Sequence, residues 1–196
     1  MYRDLFKTMI SQLNEVKQQG IPLVFLDEAI FSFNTFKAKA WAKSYKSIVI
    51  KDQAIKVKTQ AFIAAVSLEK GMVDCAIHPK SIKTEEFKSF LQRMSVGFEG
   101  KPFAVFLDNL SVHKTNLSRD TFKELHITSI FNIPYSPQFN GIESYFSILK
   151  NEYKNLLLQQ IIKGEKVDAV KFIKMAVDAI DEEKTKKCVK YGLDSI

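Results

Sequence analysis

Leu23-Val24-Phe25-Leu26-Asp27 and, further along, Phe103-Ala104-Val105-Phe106-Leu107-Asp108 decide the fold. Each is an unbroken apolar run ending in an acid, and Val-Phe-Leu-Asp occurs in both. A strand with one wet face alternates apolar and polar residues. A run without alternation is a strand buried on both faces, as in a parallel sheet covered by helices. In open α/β sheets, ligands bind outside the carboxyl ends of the strands, so both runs are expected to place an aspartate at that end. If the two strands are parallel neighbours, Asp27 and Asp108 lie close together. Paired carboxylates repel and shift each other's pKa. A divalent cation relieves that repulsion, and hard oxygen donors suit magnesium or manganese.

Working outward, residues 2–18 have helical spacing at Leu5, Met9, Leu13 and Val16, and Gly20 and Pro22 break the pattern. Residues 29–36 read as a second strand that turns back. Strand character returns at 59–68 and 72–77, with a turn at Gly71. Thr84 is the expected N-cap of a helix that faces inward through Phe87, Phe90, Leu91 and Met94. A short helix over 116–125 and a strand over 127–133 follow, closed by Pro134 and Pro137. The longest helix is expected at 140–162, where Ile142, Tyr145, Phe146, Leu149, Tyr153, Leu156 and Leu157 form one stripe. A last helix is expected at 167–182. The order is that of an α/β fold with a mixed central sheet flanked by helices. The chain divides on this reading into an N-terminal helix (1–20), a central domain (21–163) and a C-terminal helical extension packed on it (164–196).

The 196 residues include 46% hydrophobic residues and 16 Phe, a composition that buries a core and excludes intrinsic disorder. Cys75 and Cys188 have neither metal-ligand spacing nor a disulfide framework, which favours a reducing, intracellular setting. No apolar run approaches the roughly 18 residues of a membrane span, and Met1–Leu13 is no secretory signal. The net charge of +7 suits a polyanionic partner such as nucleic acid. Only three of the cations are Arg, so the charge favours phosphate contacts over bidentate base reading. The scattered glycines form no phosphate-cradling loop, and there is no Gly-x-Ser-x-Gly elbow. His78 and His126 lack zinc-ligand spacing.

Each acid also has an ordinary reading. Asp27 can end a strand into a turn, and Asp108-Asn109 is common turn chemistry. Asn140-Gly141-Ile142-Glu143 fits a capping box, with the glutamate reaching back to the N-cap backbone. His113, alone, is more often a packing or hydrogen-bonding residue than a ligand.

Four segments taken in order resemble the mariner-type transposases, within the acid-triad group that includes retroviral integrases. They are Leu26-Asp27-Glu28; Trp41; Leu107-Asp108-Asn109-Leu110-Ser111-Val112-His113-Lys114; and Pro134-Tyr135-Ser136-Pro137-Gln138-Phe139-Asn140-Gly141-Ile142-Glu143. Thirty-four residues separate Asp108 from Glu143, a spacing typical of one large branch of the group. The resemblance, over about residues 21–155, implies an RNase H-like fold. It implies that Asp27, Asp108 and Glu143 are the catalytic acids, holding two Mg2+ ions (Mn2+ as substitute) for DNA hydrolysis and strand transfer. Asn109, His113 and Asn140 match motif positions and are read as supporting the acids or positioning DNA. DNA is the implied partner, with a homodimer or a partner subunit supplying recognition, and a nuclear location if the host is eukaryotic. Two departures stand out. Gly141 replaces the family's proline before Ile-Glu, which is expected to loosen the placement of Glu143. The 26 residues before Asp27 are also too few for the helix-turn-helix modules of the family. The alternatives are a domesticated, transposase-derived subunit acting as a binding or scaffold protein, and a general RNase H-like nuclease.

Overall fold

The structure, a computed structural model, describes residues 2–32, 58–163 and 165–195. Among these residues, five strands form one sheet: β1 (Leu23–Phe31), β2 (Gln60–Ser67), β3 (Gly71–Pro79), β4 (Phe103–Leu107) and β5 (Ile127–Phe131). Their spatial order is β3-β2-β1-β4-β5. The β1–β2 and β2–β3 pairs are antiparallel, whereas β1–β4 and β4–β5 are parallel, so the sheet is mixed. The two Val-Phe-Leu-Asp runs lie side by side in register, Val24 beside Val105 and Phe25 beside Phe106. Both strands are buried on both faces, which is why neither shows polar alternation.

Among the described residues, six α-helices cover the sheet: α1 (Tyr2–Gln18), α2 (Thr84–Gly97), α3 (Asn116–Glu124), α4 (Gly141–Lys163), α5 (Ala169–Asp178) and α6 (Glu182–Leu193). Strand side chains alternate between faces. Phe25, Ala29 and Phe31 of β1 enter the larger core with residues of α1, α4, α5 and α6. Val24 and Leu26 enter the smaller core with α2 and α3. The expected stripe of α4 is buried from Ile142 to Leu157, with Leu156 only partly covered. Among the described residues, no helix is long and apolar enough to cross a membrane.

Several expectations are corrected. Residues 29–31 do not turn back but continue β1; residues 33–36 lie outside the described residues. Asp27 is therefore inside its strand and not at its end. The N-cap of α2 is Lys83, one residue before Thr84, and its N–H is held by the Glu86 carboxylate at 3.0 Å. The segment 167–182 is not one helix. The chain leaves α5 after Asp178, and α6 starts anew behind Asp181, whose side chain accepts from the Lys184 N–H at 2.7 Å. Nor is Gly141 a loosened turn. A Cβ there would stand 2.9 Å from the Val189 Cα, and one on Gly192 would stand 2.4 Å from the Gly141 Cα. The two glycines let α6 cross the first turn of α4 at backbone contact.

Candidate active site

The β4 strand ends at Leu107, while β1 runs on to Phe31. Continuing the offset that pairs Phe25 with Phe106 brings Asp27 level with Asp108, where the β4 chain leaves the sheet. Asp27 thus reaches the mouth of the parallel pair although its own strand continues past it. Glu143 comes from the first turn of α4. The three acids line one cleft of about 490 Å3, together with Asn109, Asn132, Tyr135, Ser136 and Asn140.

Two of the acids are held in different ways. Asp27 is 7% exposed. Its Oδ1 accepts from the Glu28 N–H at 2.7 Å and its Oδ2 from Asn140 Nδ2 at 3.1 Å. Burial pushes its carboxyl up to about 8, opposed by the backbone bond and reinforced by the charges of Glu28, Asp108 and Glu143. Asp108 is half-buried and moves the other way. Burial works to raise it, but hydrogen bonds from His113 and the Leu110 N–H, with the charges of His113 and Lys114, hold it below the usual carboxylate range. Glu143 is exposed at the cleft. Environments that push neighbouring carboxyls apart in this way are a mark of functional sites.

The capping box considered for Asn140 and Glu143 does not form. The Glu143 N–H bonds the Asn140 carbonyl at 3.1 Å, while the Asn140 side chain turns to Asp27. Its Oδ1 is buried without a partner. His113 is fully buried and bridges two acids: Nδ1 lies 3.1 Å from Asp108 Oδ1, and Nε2 lies 3.0 Å from Glu28 Oε1. Burial alone would lower its pKa, but hydrogen bonds to Asp108 and Glu28 and the charges of both raise it to about 9. Asn109 Nδ2 donates to the Asn132 carbonyl, and its Oδ1 accepts from Lys114 Nζ. This ties the chain after β4 to the loop that leads into α4. Trp41 lies outside the described residues.

Sequence reading assigned no role to Glu28, Asn132 or Ser136. Asn132 Nδ2 donates to the Ser136 carbonyl at 2.7 Å, folding the 132–136 loop back on itself. The signal for Glu28 was available, because strand alternation sends the residue after Asp27 to the opposite face. The acids around the cleft offer hard oxygen donors, and a carboxyl raised by burial and further by the charges of neighbouring acids is the arrangement a divalent cation relieves. Among the described residues, no three acid, histidine or cysteine side chains stand close enough to share one ion as placed.

Residues 22–166 match the profile of the DDE superfamily endonucleases. Among curated proteins, none matches the sequence. Among solved structures, the Mos1 strand transfer complex superposes with a TM-score of 0.67 at 12% identity, covering 100% of this chain and 60% of the other. The catalytic domain of Mos1 mariner transposase gives 0.55 at 15% identity, over 97% of this chain and 93% of that one. A simian T-cell lymphotropic virus intasome, in complex with the PP2A regulatory subunit B56 gamma, gives 0.58 at 16% identity, over 82% and 49%. At these identities the likeness is one of fold, the RNase H-like fold of these catalytic domains, and the chain spans 60% of the length of the first of them.

Proposed function

The chain belongs to the DDE superfamily endonucleases, and on that premise we propose that it is the catalytic domain of a DNA transposase, cutting and joining phosphodiesters with Asp27, Asp108 and Glu143. The observation that carries this is the convergence of the three acids, from β1, the end of β4 and the start of α4, on one cleft. There the charges of Asp108 and Glu143 act on the buried Asp27.

Asp27, Asp108 and Glu143 would hold two Mg2+ ions, with Mn2+ as substitute. Bound there, the ions supply Lewis-acid stabilisation of the attacking and leaving oxygens. The chain's own residues set the stage for this. Asn140 and the Glu28 N–H fix both oxygens of Asp27. His113 and the Leu110 N–H fix Oδ1 of Asp108. Asn109 ties the loop after β4 to the loop before α4. In hydrolysis the oxygen of water forms a new P–O bond, the bond to the 3′ oxygen breaks, and that oxygen leaves as a hydroxyl carrying a proton. In strand transfer the same hydroxyl attacks a second phosphodiester: one P–O bond forms, one breaks, and the proton passes to the leaving oxygen. No oxidant or covalent enzyme intermediate enters. The net charge of +7 supports DNA as partner.

The test is strand rejoining on a branched DNA in Mn2+, because such a substrate presents the 3′-hydroxyl already placed. Wild type should rejoin strands, and Asp108→Asn should not. A folded wild type with no activity sinks the proposal and favours a scaffold subunit.

A further inference from the structure

We infer that Glu28 is a positioning residue for Asp108, acting through His113. The inference rests on Asp108 being a working acid of the proposed site.

Asp27 and Glu28 are consecutive in β1, so their side chains leave on opposite faces of the sheet. Asp27 goes to the face of α4, where Asn140 meets it at 3.1 Å. Glu28 goes to the face of α2, where His113 meets it at 3.0 Å. The pair of acids therefore serves the cleft from two sides, one directly and one through a relay.

The relay has few degrees of freedom. His113 is fully buried in the 3-10 turn Ser111–Lys114 that follows β4. Its ring lies against Phe87 of α2, with centroids 4.7 Å apart. Rotation about the bond to an imidazole is soft, with broad wells, so one hydrogen bond does not fix the ring. Asp108 holds the Nδ1 edge and Glu28 the Nε2 edge. With both edges held, Nδ1 stays aimed at Asp108 Oδ1, which also accepts from the Leu110 N–H at 2.9 Å. Both bonds fall on Oδ1, so Oδ2 is the oxygen left for the cleft. Glu28 does this at a cost, since its charge adds to the repulsion on Asp27.

The test uses three substitutions in the full chain and Mn2+ as the probe. Binding is read by the loss of the free Mn2+ paramagnetic resonance signal, and turnover by strand rejoining against Mn2+ concentration. Glu28→Ala frees the Nε2 edge and should weaken Mn2+ binding and slow rejoining by about 10-fold or more, the usual effect of losing a group that orients a ligand. Glu28→Gln keeps an oxygen that accepts from Nε2–H and should restore most of both. His113→Asn keeps an N–H close to the place of Nδ1 but cannot reach Glu28. Adding Glu28→Ala to it should therefore change nothing further. Folding of each variant is checked by circular dichroism and urea unfolding.

A folded Glu28→Ala with wild-type Mn2+ binding and rejoining overturns the inference. Equal losses in Glu28→Ala and Glu28→Gln also overturn it, because charge and not orientation would then matter. So does a Glu28→Ala effect as large in the His113→Asn background as in wild type. If wild type binds Mn2+ but rejoins no DNA, the transposase reading falls while the binding series still decides the role of Glu28. A wild type that binds no Mn2+ overturns both.

Discussion

Asp27 is where the demands of stability and chemistry collide. A carboxyl with an ordinary value of 3.8 is raised to about 8 in the fold. The native state therefore holds this proton more tightly than the unfolded chain does. Its contribution to stability is fully present below about 3.8 and is lost as pH rises through 8. His113, raised from 6.5 to about 9, adds a contribution that is present below 6.5 and lost through 9. Without metal, the protein should therefore lose stability progressively from about pH 4 to pH 9, most steeply between 6.5 and 8, where both losses run together. Asp27→Asn removes the buried charge and keeps the shape, so it should stabilise the metal-free protein at pH 8 by roughly 1–3 kcal/mol while abolishing rejoining. Urea unfolding at pH 6 and pH 8 checks this, and an equal or lower stability of the variant at pH 8 refutes it. The sequence pointed to three acids, through the repeated Val-Phe-Leu-Asp run and the Pro-Tyr-Ser-Pro segment, and the fold brings these three to one cleft. The sequence did not disclose what holds them: Asn140 reaches Asp27 across 113 positions and His113 reaches Glu28 across 85, and such pairings exist only once the sheet has formed.

At the scale of elements, α4 carries Glu143 on its first turn, and α6 fixes where that turn sits. Gly141 and Gly192 meet with backbone in contact, and α6 also touches β3 and β2. Gly192→Ala inserts a Cβ 2.4 Å from a backbone atom that is no flexible side-chain tip, so a helix must move. Overpacking of this kind costs about 1–3 kcal/mol. Restoring the family's proline at Gly141 should likewise destabilise, because its Cβ would meet the Val189 backbone at 2.9 Å. Both changes should lower the urea midpoint, and a Gly141→Pro protein at least as stable as wild type would show that the close approach is not required. Elements with a single apolar period were legible, and α1, β2 and α4 fall within a residue or so of where their spacing puts them. The break between α5 and α6 was not. Val170, Ile173, Val177 and Ile180 keep helical spacing into the break, so periodicity alone ran across it. The new start is made by Asp181, an N-cap that reads in sequence like any exposed acid.

For the molecule as a whole, the question is whether α1 is a separate appendage or part of the catalytic body. The sequence suggested a boundary at residue 20, drawn at Gly20 and Pro22, which do end the helix. In the fold, Met9 and Val16 of α1 are buried in the same core as Phe25, Phe106 and Tyr145. The helix also reaches the site: Phe6 lies against Phe139 with ring centroids 5.8 Å apart, and the Tyr2 hydroxyl is 3.0 Å from Ser136 Oγ. Phe139 and Ser136 belong to the loop that delivers Asn140 to Asp27. A helix that both fills the core and braces this loop should unfold together with the sheet in one transition. Met9→Ala then opens a cavity costing about 2–5 kcal/mol, which for a chain of this size lowers the melting temperature by on the order of 10 °C. Deleting residues 1–18 should go further, giving a chain that binds a hydrophobic dye and melts without a sharp transition. If the deleted chain instead melts sharply near the wild-type temperature, α1 is an appendage and the brace on the 132–140 loop is dispensable. If it loses its transition while Met9→Ala keeps a single, lowered one, the catalytic unit begins at α1, and any load placed on that helix bears directly on the loop that orients Asp27.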